Sequence, residues 1–220
     1  MIREVFGLSS WQLLVKGAAM TLLLSIAGVV VGTVLGIFGG IIRTYPSRVC
    51  YALRPLVWLW VEVFRRTPLM ILMLLSYFGL AHTGFVVPPL LVGLLAVCVY
   101  SVAYMTENIR SGIEAIPKSQ WDAGLSLGMN SWHLLVCVIM PQALRISIPP
   151  SIGFMQSLVK DTSVATIIGL VELTHVSQLL RYRFPAAGFT IFGTVLLLYF
   201  IICYPLSWFG DHAERKVRRA

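Results

Sequence analysis

Residues Ser111–Pro150 read SGIEAIPKSQWDAGLSLGMNSWHLLVCVIMPQALRISIPP, and this is the longest span without an obvious membrane segment. It lies between two segments that have one, and its punctuation is that of two short helices meeting at a corner. Pro117 suits an early-helix position, where its missing N–H costs little. A helix then runs through Gln120, Trp121, Ala123, Leu125 and Leu127. Gly128 is placed to end it, since glycine tolerates the left-handed conformation of a helix C-terminus. Asn130 or Ser131 caps a second helix through Trp132, Leu135 and Val138, which Pro141 is expected to interrupt. On the first helix Trp121, Leu125 and Gly128 share one face, and Ser119, Asp122 and Ser126 another. Two readings follow from the pattern: a knob on which a soluble partner docks, or a loop lying on a bilayer.

Working outward, the rest of the chain belongs in a membrane. Of its 220 residues 58% are hydrophobic and 12% charged, and its mean hydropathy is +0.85, values far from a soluble domain. Residues 1–220 read as one membrane domain, with the corner loop at about 111–142. No cleavable signal peptide is expected, because the start lacks a short apolar core followed by a small-residue site. Cys50, Cys98, Cys137 and Cys203 are widely spaced, with no CxxC or Cys/His cluster, so neither a disulfide framework nor a metal site is expected. The net charge of +8 is better matched to positive-inside loops and anionic membrane lipid than to nucleic acid.

Residues 1–16 read as an amphipathic lead-in and Gly17–Ile42 as a first span. Gly28, Gly32, Gly36 and Gly39 recur along it at helical spacing; they mark either a close helix contact or ordinary membrane-helix glycine usage. A second span lies within Leu56–Leu80. Its start is open between Leu56 and the residue after Thr67, because Glu62, Arg65 and Arg66 cannot face lipid cheaply. Ala81–Pro89 reads as a short outer turn. The third span is Leu90–Ile109, with Glu107 and Arg110 three apart on one face; a structural role for that pair is favoured over a substrate role. The fourth, Ile148–Leu170, opens on Pro149-Pro150 and carries Lys160 and Asp161 near its middle. An amphipathic segment, VELTHVSQLLRYR, leads to a fifth span at Ala187–Phe209 and a basic tail. With the loops after spans one and three and the tail on one side, that side holds 12 of the 17 Lys and Arg, leaving Arg3, Lys16, Lys160, Arg181 and Arg183. The asymmetry places the N-terminus outside and the C-terminus and corner loop in the cytoplasm.

No catalytic constellation is visible. There is no GxxxxGK[ST] phosphate loop, so ATP is not expected to bind this chain. Lys160, Asp161, Thr162 and Ser163 form the most informative polar cluster. Mid-membrane charges are costly against lipid and seek a cavity or partner. Neighbours on a helix point ~100° apart, so Lys160 and Asp161 cannot share one face. Either they line a solute pathway, where Asp161 receives an amino or guanidinium group, or they make a structural ion pair with another helix or subunit.

One extended motif and three flanking words carry a resemblance. Asp122-Ala123-Gly124, Gly128 three residues later, and Val138-Ile139-Met140-Pro141 resemble the EAA motif of ABC importer permeases, with conservative departures at Asp122, Gly124, Val138 and Met140. Phe64-Arg65-Arg66-Thr67-Pro68-Leu69, Pro141-Gln142-Ala143-Leu144-Arg145 and Ser157–Ser163 resemble the polar amino-acid members of that family, the histidine, glutamine, arginine and cystine systems. The resemblance implies an all-α polytopic membrane protein of about five transmembrane helices with a cytoplasmic helix-turn-helix coupling loop. It implies the permease subunit of a type I importer in a bacterial inner membrane, without enzymatic activity of its own. Implied partners are a dimer of cytoplasmic ABC ATPases that carries ATP and magnesium, a second identical or homologous permease, and a periplasmic binding protein delivering a polar amino acid. The ATPase would dock on Trp121, Asp122, Ala123, Gly124, Leu127, Gly128 and Met129, with Pro141 closing the motif. The other readings are a membrane scaffold that transports nothing and an ion-coupled carrier; the absence of a visible internal repeat weighs against the carrier.

Overall fold

The computed structural model describes residues 7–84 and 87–217. Among them every regular element is helical: α1 (Leu8–Thr44), α2 (Arg48–Arg66), α3 (Leu69–His82), α4 (Pro89–Glu114), α5 (Lys118–Ser126), α6 (Ser131–Leu134), α7 (Met140–Asp161), α8 (Leu173–Arg183) and α9 (Gly188–Val217). A π turn at Leu135–Ile139 joins α6 to α7, and 3-10 turns at Thr162–Ile168 and Pro185–Ala187 flank α8.

Among the described residues four helical runs are long and apolar enough to cross a membrane: α1, α4, Ser131–Ile168 and Pro185–Val217. The pair α2 and α3, bent at Thr67-Pro68, makes a fifth. This matches the expected count. The 37 residues of α1 span ~55 Å at ~1.5 Å each, longer than a ~30 Å hydrocarbon core. The lead-in expected over 1–16 is therefore part of α1 from Leu8; its first six residues lie outside those described. Two residues of the Ala81–Pro89 turn and the last three of the tail also lie outside them.

The second span is resolved at its uncertain end. Its charged half belongs to α2, and the apolar helix starts only at Leu69, after Pro68 has removed a backbone donor. The 14 residues of α3 cover only ~21 Å, so α3 alone is too short to cross. Two expectations are corrected. Pro141 does not interrupt the second corner helix, and the fourth span does not begin at Ile148. The π turn lets the helix run through: Met140 N–H donates to Leu135 O, one residue further back than in an α-helix. The side chain of Gln142 donates to Val138 O at 2.8 Å, occupying a carbonyl within the distorted turn. Pro149 and Pro150 likewise lie inside α7.

The chain divides into two compact units, residues 1–28, 67–98 and 155–207, and residues 29–66, 99–154 and 208–220. In the first, Leu14 of α1 packs with Leu173, Val176 and Leu180 of α8, and with Ala187, Ile191 and Val195. The spacing of Leu173, Val176 and Leu180 gives α8 a single apolar face. Gly17 lets it approach α1, since a Cβ there would stand 2.9 Å from Val176 Cγ2. In the second unit α1 and α4 meet along the glycine stripe. A Cβ on Gly32 would lie 2.8 Å from Ser101 Cβ, and one on Gly36 2.7 Å from Met105 Cβ. The stripe is thus a close helix contact at these positions, held by dispersion between backbones that side chains would separate.

Candidate functional site

The corner loop is built on the second unit. Pro117 precedes α5 with φ −56° and ψ 140°. At the far end Gly128 has φ +78°. Its N–H donates to Leu125 O at 2.9 Å, while Met129 N–H donates to Gly124 O at 3.1 Å. These two bonds are the paired closure of a Schellman end, which satisfies carbonyls that a helix terminus would otherwise leave open. Asn130 then caps α6, its Oδ1 accepting from Trp132 N–H at 2.9 Å. The corner read from the sequence is therefore present, with Asn130 rather than Ser131 as the cap.

The loop rests on a buried cluster of Ile109 and Ile113 of α4, Ile116 just after it, Leu134, Leu135 and Ile139 across the π turn, and Met140 and Ala143 of α7. Trp121 and Met129 pack against it from the corner. Gly124 is buried because α6 crosses it; a Cβ there would collide with the Leu134 side chain. Gly112 likewise lies against Ala143 and Ser147, and Ser147 Oγ donates to Asn108 O at 3.1 Å. Asp122, Ala123, Leu125, Leu127 and Gly128 face outward. Leu127 is 83% exposed, an unpartnered apolar residue at the tip. Pro141 is exposed on the first turn of α7. So the eight residues expected to couple fall into two sets: Trp121, Gly124 and Met129 are seated toward the base, and the others are exposed.

Beside that base lies an ionic cluster that the sequence revealed only in part. The expected Glu107–Arg110 pair is formed, at 2.7 Å. Glu107 also meets Arg43 of α1, and Arg65 of α2 at 3.5 Å; Arg110 reaches Glu114 as well. One largely buried carboxylate thus ties three helices together, in support of the structural role. Arg65 further lies over the Tyr104 ring at 5.4 Å. Tyr104 donates to Arg65 O at 3.2 Å and stacks on Phe154, ring centres 4.7 Å apart. Arg43 was legible as a loop charge, and Arg65 as one that lies near the cytoplasmic interface or faces the bundle because it cannot face lipid cheaply, but nothing local links either to Glu107.

The polar cluster lies in the first unit, toward the end of the Ser131–Ile168 run, at the junction of α7 with its 3-10 turn. Lys160 is exposed, Asp161 and Ser163 are half-buried, and Thr162 is buried. Thr162 donates to Val159 O at 2.9 Å and is committed to its own helix. Among the described residues Lys160 and Asp161 form no ion pair with each other or elsewhere.

A further polar residue in that unit escaped the sequence reading. Glu172 is wholly buried and caps α8, accepting from Thr174 N–H at 2.8 Å and His175 N–H at 2.7 Å. Tyr199 donates to it at 3.2 Å and Thr21 at 3.5 Å. Burial pushes its carboxyl above the ordinary range, against the pull of those hydrogen bonds. The available signal was an acid at the entry to an amphipathic helix.

The sequence model of binding-protein-dependent transport system inner membrane components matches residues 28–219. The chain belongs to this family of membrane permeases. It is 33% identical over 214 residues to the L-cystine transport system permease protein TcyB of Bacillus subtilis, covering 96% of this chain and 89% of TcyB. It is 32% identical over 209 residues to the glutamine transport system permease protein GlnP of Escherichia coli K12, covering 94% and 93%. The structure superposes on a crystal structure of an amino acid ABC transporter with histidines, with a TM-score of 0.84, 28% identity, and coverage of 93% and 94%. The expected family and all-α architecture are therefore found. In the permease so identified, the capped corner and the ionic cluster lie side by side at the C-terminal end of α4 in the second unit.

Proposed function

We propose that this permease forms, with a second identical or homologous copy, the pathway of an ATP-driven importer for a polar amino acid. A binding protein delivers the solute, and a pair of ABC ATPases, which carry the ATP and magnesium, docks on the corner loop. One observation carries the coupling role: an exposed tip, Leu127 above all, stands on a corner whose two helices are capped, closed and packed on a buried base. A loop merely lying on the bilayer needs no such rigidity. The amino-acid assignment is supported by the cystine and glutamine systems and the amino acid ABC transporter solved with histidines among the similar proteins. The permease lies in the inner membrane with the corner loop and tail in the cytoplasm and the N-terminus outside, on the strength of the charge asymmetry. Closure of the ATPases moves the corner as a rigid body, and α4 and α7 carry that movement as a switch between two states. Lys160, Asp161, Thr162 and Ser163 belong to the pathway.

The test is reconstitution of the purified permease with its ATPase and binding protein in vesicles, with cystine, glutamine, histidine and arginine offered one at a time. ATP hydrolysis stimulated by one amino acid, with uptake that requires both partners, is the expected outcome. Uptake without the ATPase would support an ion-coupled carrier, and complex formation with no uptake of any solute would support a scaffold.

A further inference from the structure

Between the end of α1, the first half of α2 and the end of α4 lies an open cleft of about 390 Å³. Arg43, Arg54 and Arg110 line it, together with Tyr51, Trp58 and Glu114. Arg43 and Arg110 are balanced by Glu107 and Glu114. Arg54 is not. Its Nη2 donates to Tyr45 O at 3.3 Å, its guanidinium lies 4.5 Å over the Tyr51 ring, and its Nε has no hydrogen-bond partner among the described residues. It forms no ion pair there either, Glu114 across the cleft being paired with Arg110. Three guanidiniums at one cleft, with one charge uncompensated, suit a multivalent oxyanion, because arginine forks match phosphate geometry.

The setting of the cleft decides which oxyanion. Val49, Leu53, Leu56 and Trp60 recur at helical spacing on the face of α2 away from the cleft, and all are exposed. Trp58 at the cleft is half exposed. A helix with a basic side toward a cleft and an apolar side outward is the pattern of an interfacial helix. A water-soluble phosphate gains nothing from the half-exposed Tyr51 and Trp58 rings that line the cleft, whereas a phospholipid packs its glycerol and the start of its acyl chains against them. We propose that this cleft binds the phosphate headgroup of an anionic phospholipid, with Arg54 as the uncompensated charge that selects it. Lipid seated there would hold α2 beside the Glu107 cluster at the cytoplasmic leaflet. The leaflet rests on the orientation proposed above; the headgroup chemistry does not.

The assembled transporter, purified in detergent, is titrated with dioleoylphosphatidylglycerol, dioleoylphosphatidylcholine or glycerol 3-phosphate, and bound lipid is counted by native mass spectrometry. Phosphatidylglycerol is expected to bind in preference to phosphatidylcholine, with no competition from glycerol 3-phosphate at equal concentration. Arg54→Gln should weaken phosphatidylglycerol binding about fivefold, the worth of one basic residue at an anionic surface. Arg48→Gln, an exposed position on α2 outside the cleft lining, should leave it unchanged. Equal losses in the two variants would mean diffuse attraction and overturn the site. Competition by glycerol 3-phosphate would overturn the lipid assignment. A second readout does not depend on Arg54. Brominated phosphatidylglycerol should quench tryptophan emission less in Trp58→Phe than in the parent. No difference would mean that the second permease or another partner covers this face, and the proposal fails. Surface labelling of a cysteine placed at Ser119 reports the orientation separately, so a wrong leaflet and a wrong site give different results.

Discussion

Gly128 shows how one residue sets the geometry of the corner loop. Its φ of +78° lies where a Cβ costs on the order of 1–2 kcal/mol, and no heavy atom stands within 4 Å of the Cβ position. A substitution there is therefore strained by backbone alone, without a clash. Gly128→Val should leave the permease inserted but weaken co-purification of the ATPase, while Gly128→Asn, a residue that tolerates the left-handed region, should retain most of it. Equal ATPase recovery from the parent and both variants would sink the corner model. Gly124 is the contrasting case, since its cost is a collision with Leu134. Both glycines stood within the quoted motif, but only Gly128 was explicable from sequence, because a helix end is a local signal. Burial of Gly124 comes from α6 crossing α5. Glu107 repeats the lesson: Arg110 three residues away was legible, whereas Arg43, 64 residues away, was brought in by the α1–α4 packing.

At the scale of elements, apolar periodicity located the membrane helices, and local chemistry located most of their breaks. Pro68 ended one helix as prolines do. Pro141 did not, because the π turn shifted the hydrogen-bond register and Gln142 reached back to Val138 O; such a compensation needs three-dimensional context. The seam of Gly32 and Gly36 was visible as a stripe, but its partner, α4, was not. For α8 the amphipathic pattern was plain and the buried cap was missed, since nothing in VELTHVSQLLRYR says that Tyr199 and Thr21 will close over Glu172. That cap has a pH consequence. The carboxyl of folded Glu172 titrates above its ordinary value of 4.5, so the folded state binds the proton more tightly than the unfolded state. Its ionised form lowers stability above the folded pKa, and the penalty is relieved as pH falls through that pKa toward the unfolded value. The gap in melting temperature between the parent and Glu172→Gln should therefore move in favour of the parent as pH is lowered from neutrality toward 5. A constant gap, or movement the other way, would show that the hydrogen bonds outweigh burial at this carboxyl.

For the molecule as a whole, α7 links the proposed ends of the transport cycle: it starts at the corner loop with Met140 and ends at Lys160 and Asp161. The sequence left two roles open for that charged pair. A structural pair should be buried and bonded, whereas Lys160 is exposed, Asp161 is half-buried, and neither forms an ion pair among the described residues. Charges in that state within a membrane segment need water, a solute or the second permease beside them. Asp161→Asn keeps the size and removes the charge. In a pathway role the variant should assemble with the ATPase at normal yield and hydrolyse ATP at its basal rate, while solute-dependent uptake falls or changes its preference among amino acids. If Asp161 instead pairs with Lys160 or with a basic residue of the second permease in the full assembly, the change strands a buried cation. Breaking such a pair costs about 3–5 kcal/mol, so complex yield should collapse. Yield restored by combining Lys160→Met with Asp161→Asn would assign that pair to structure and reject the pathway role. The single and double variants therefore have to be carried together through purification and uptake: only the pathway role predicts that Asp161→Asn separates transport from assembly.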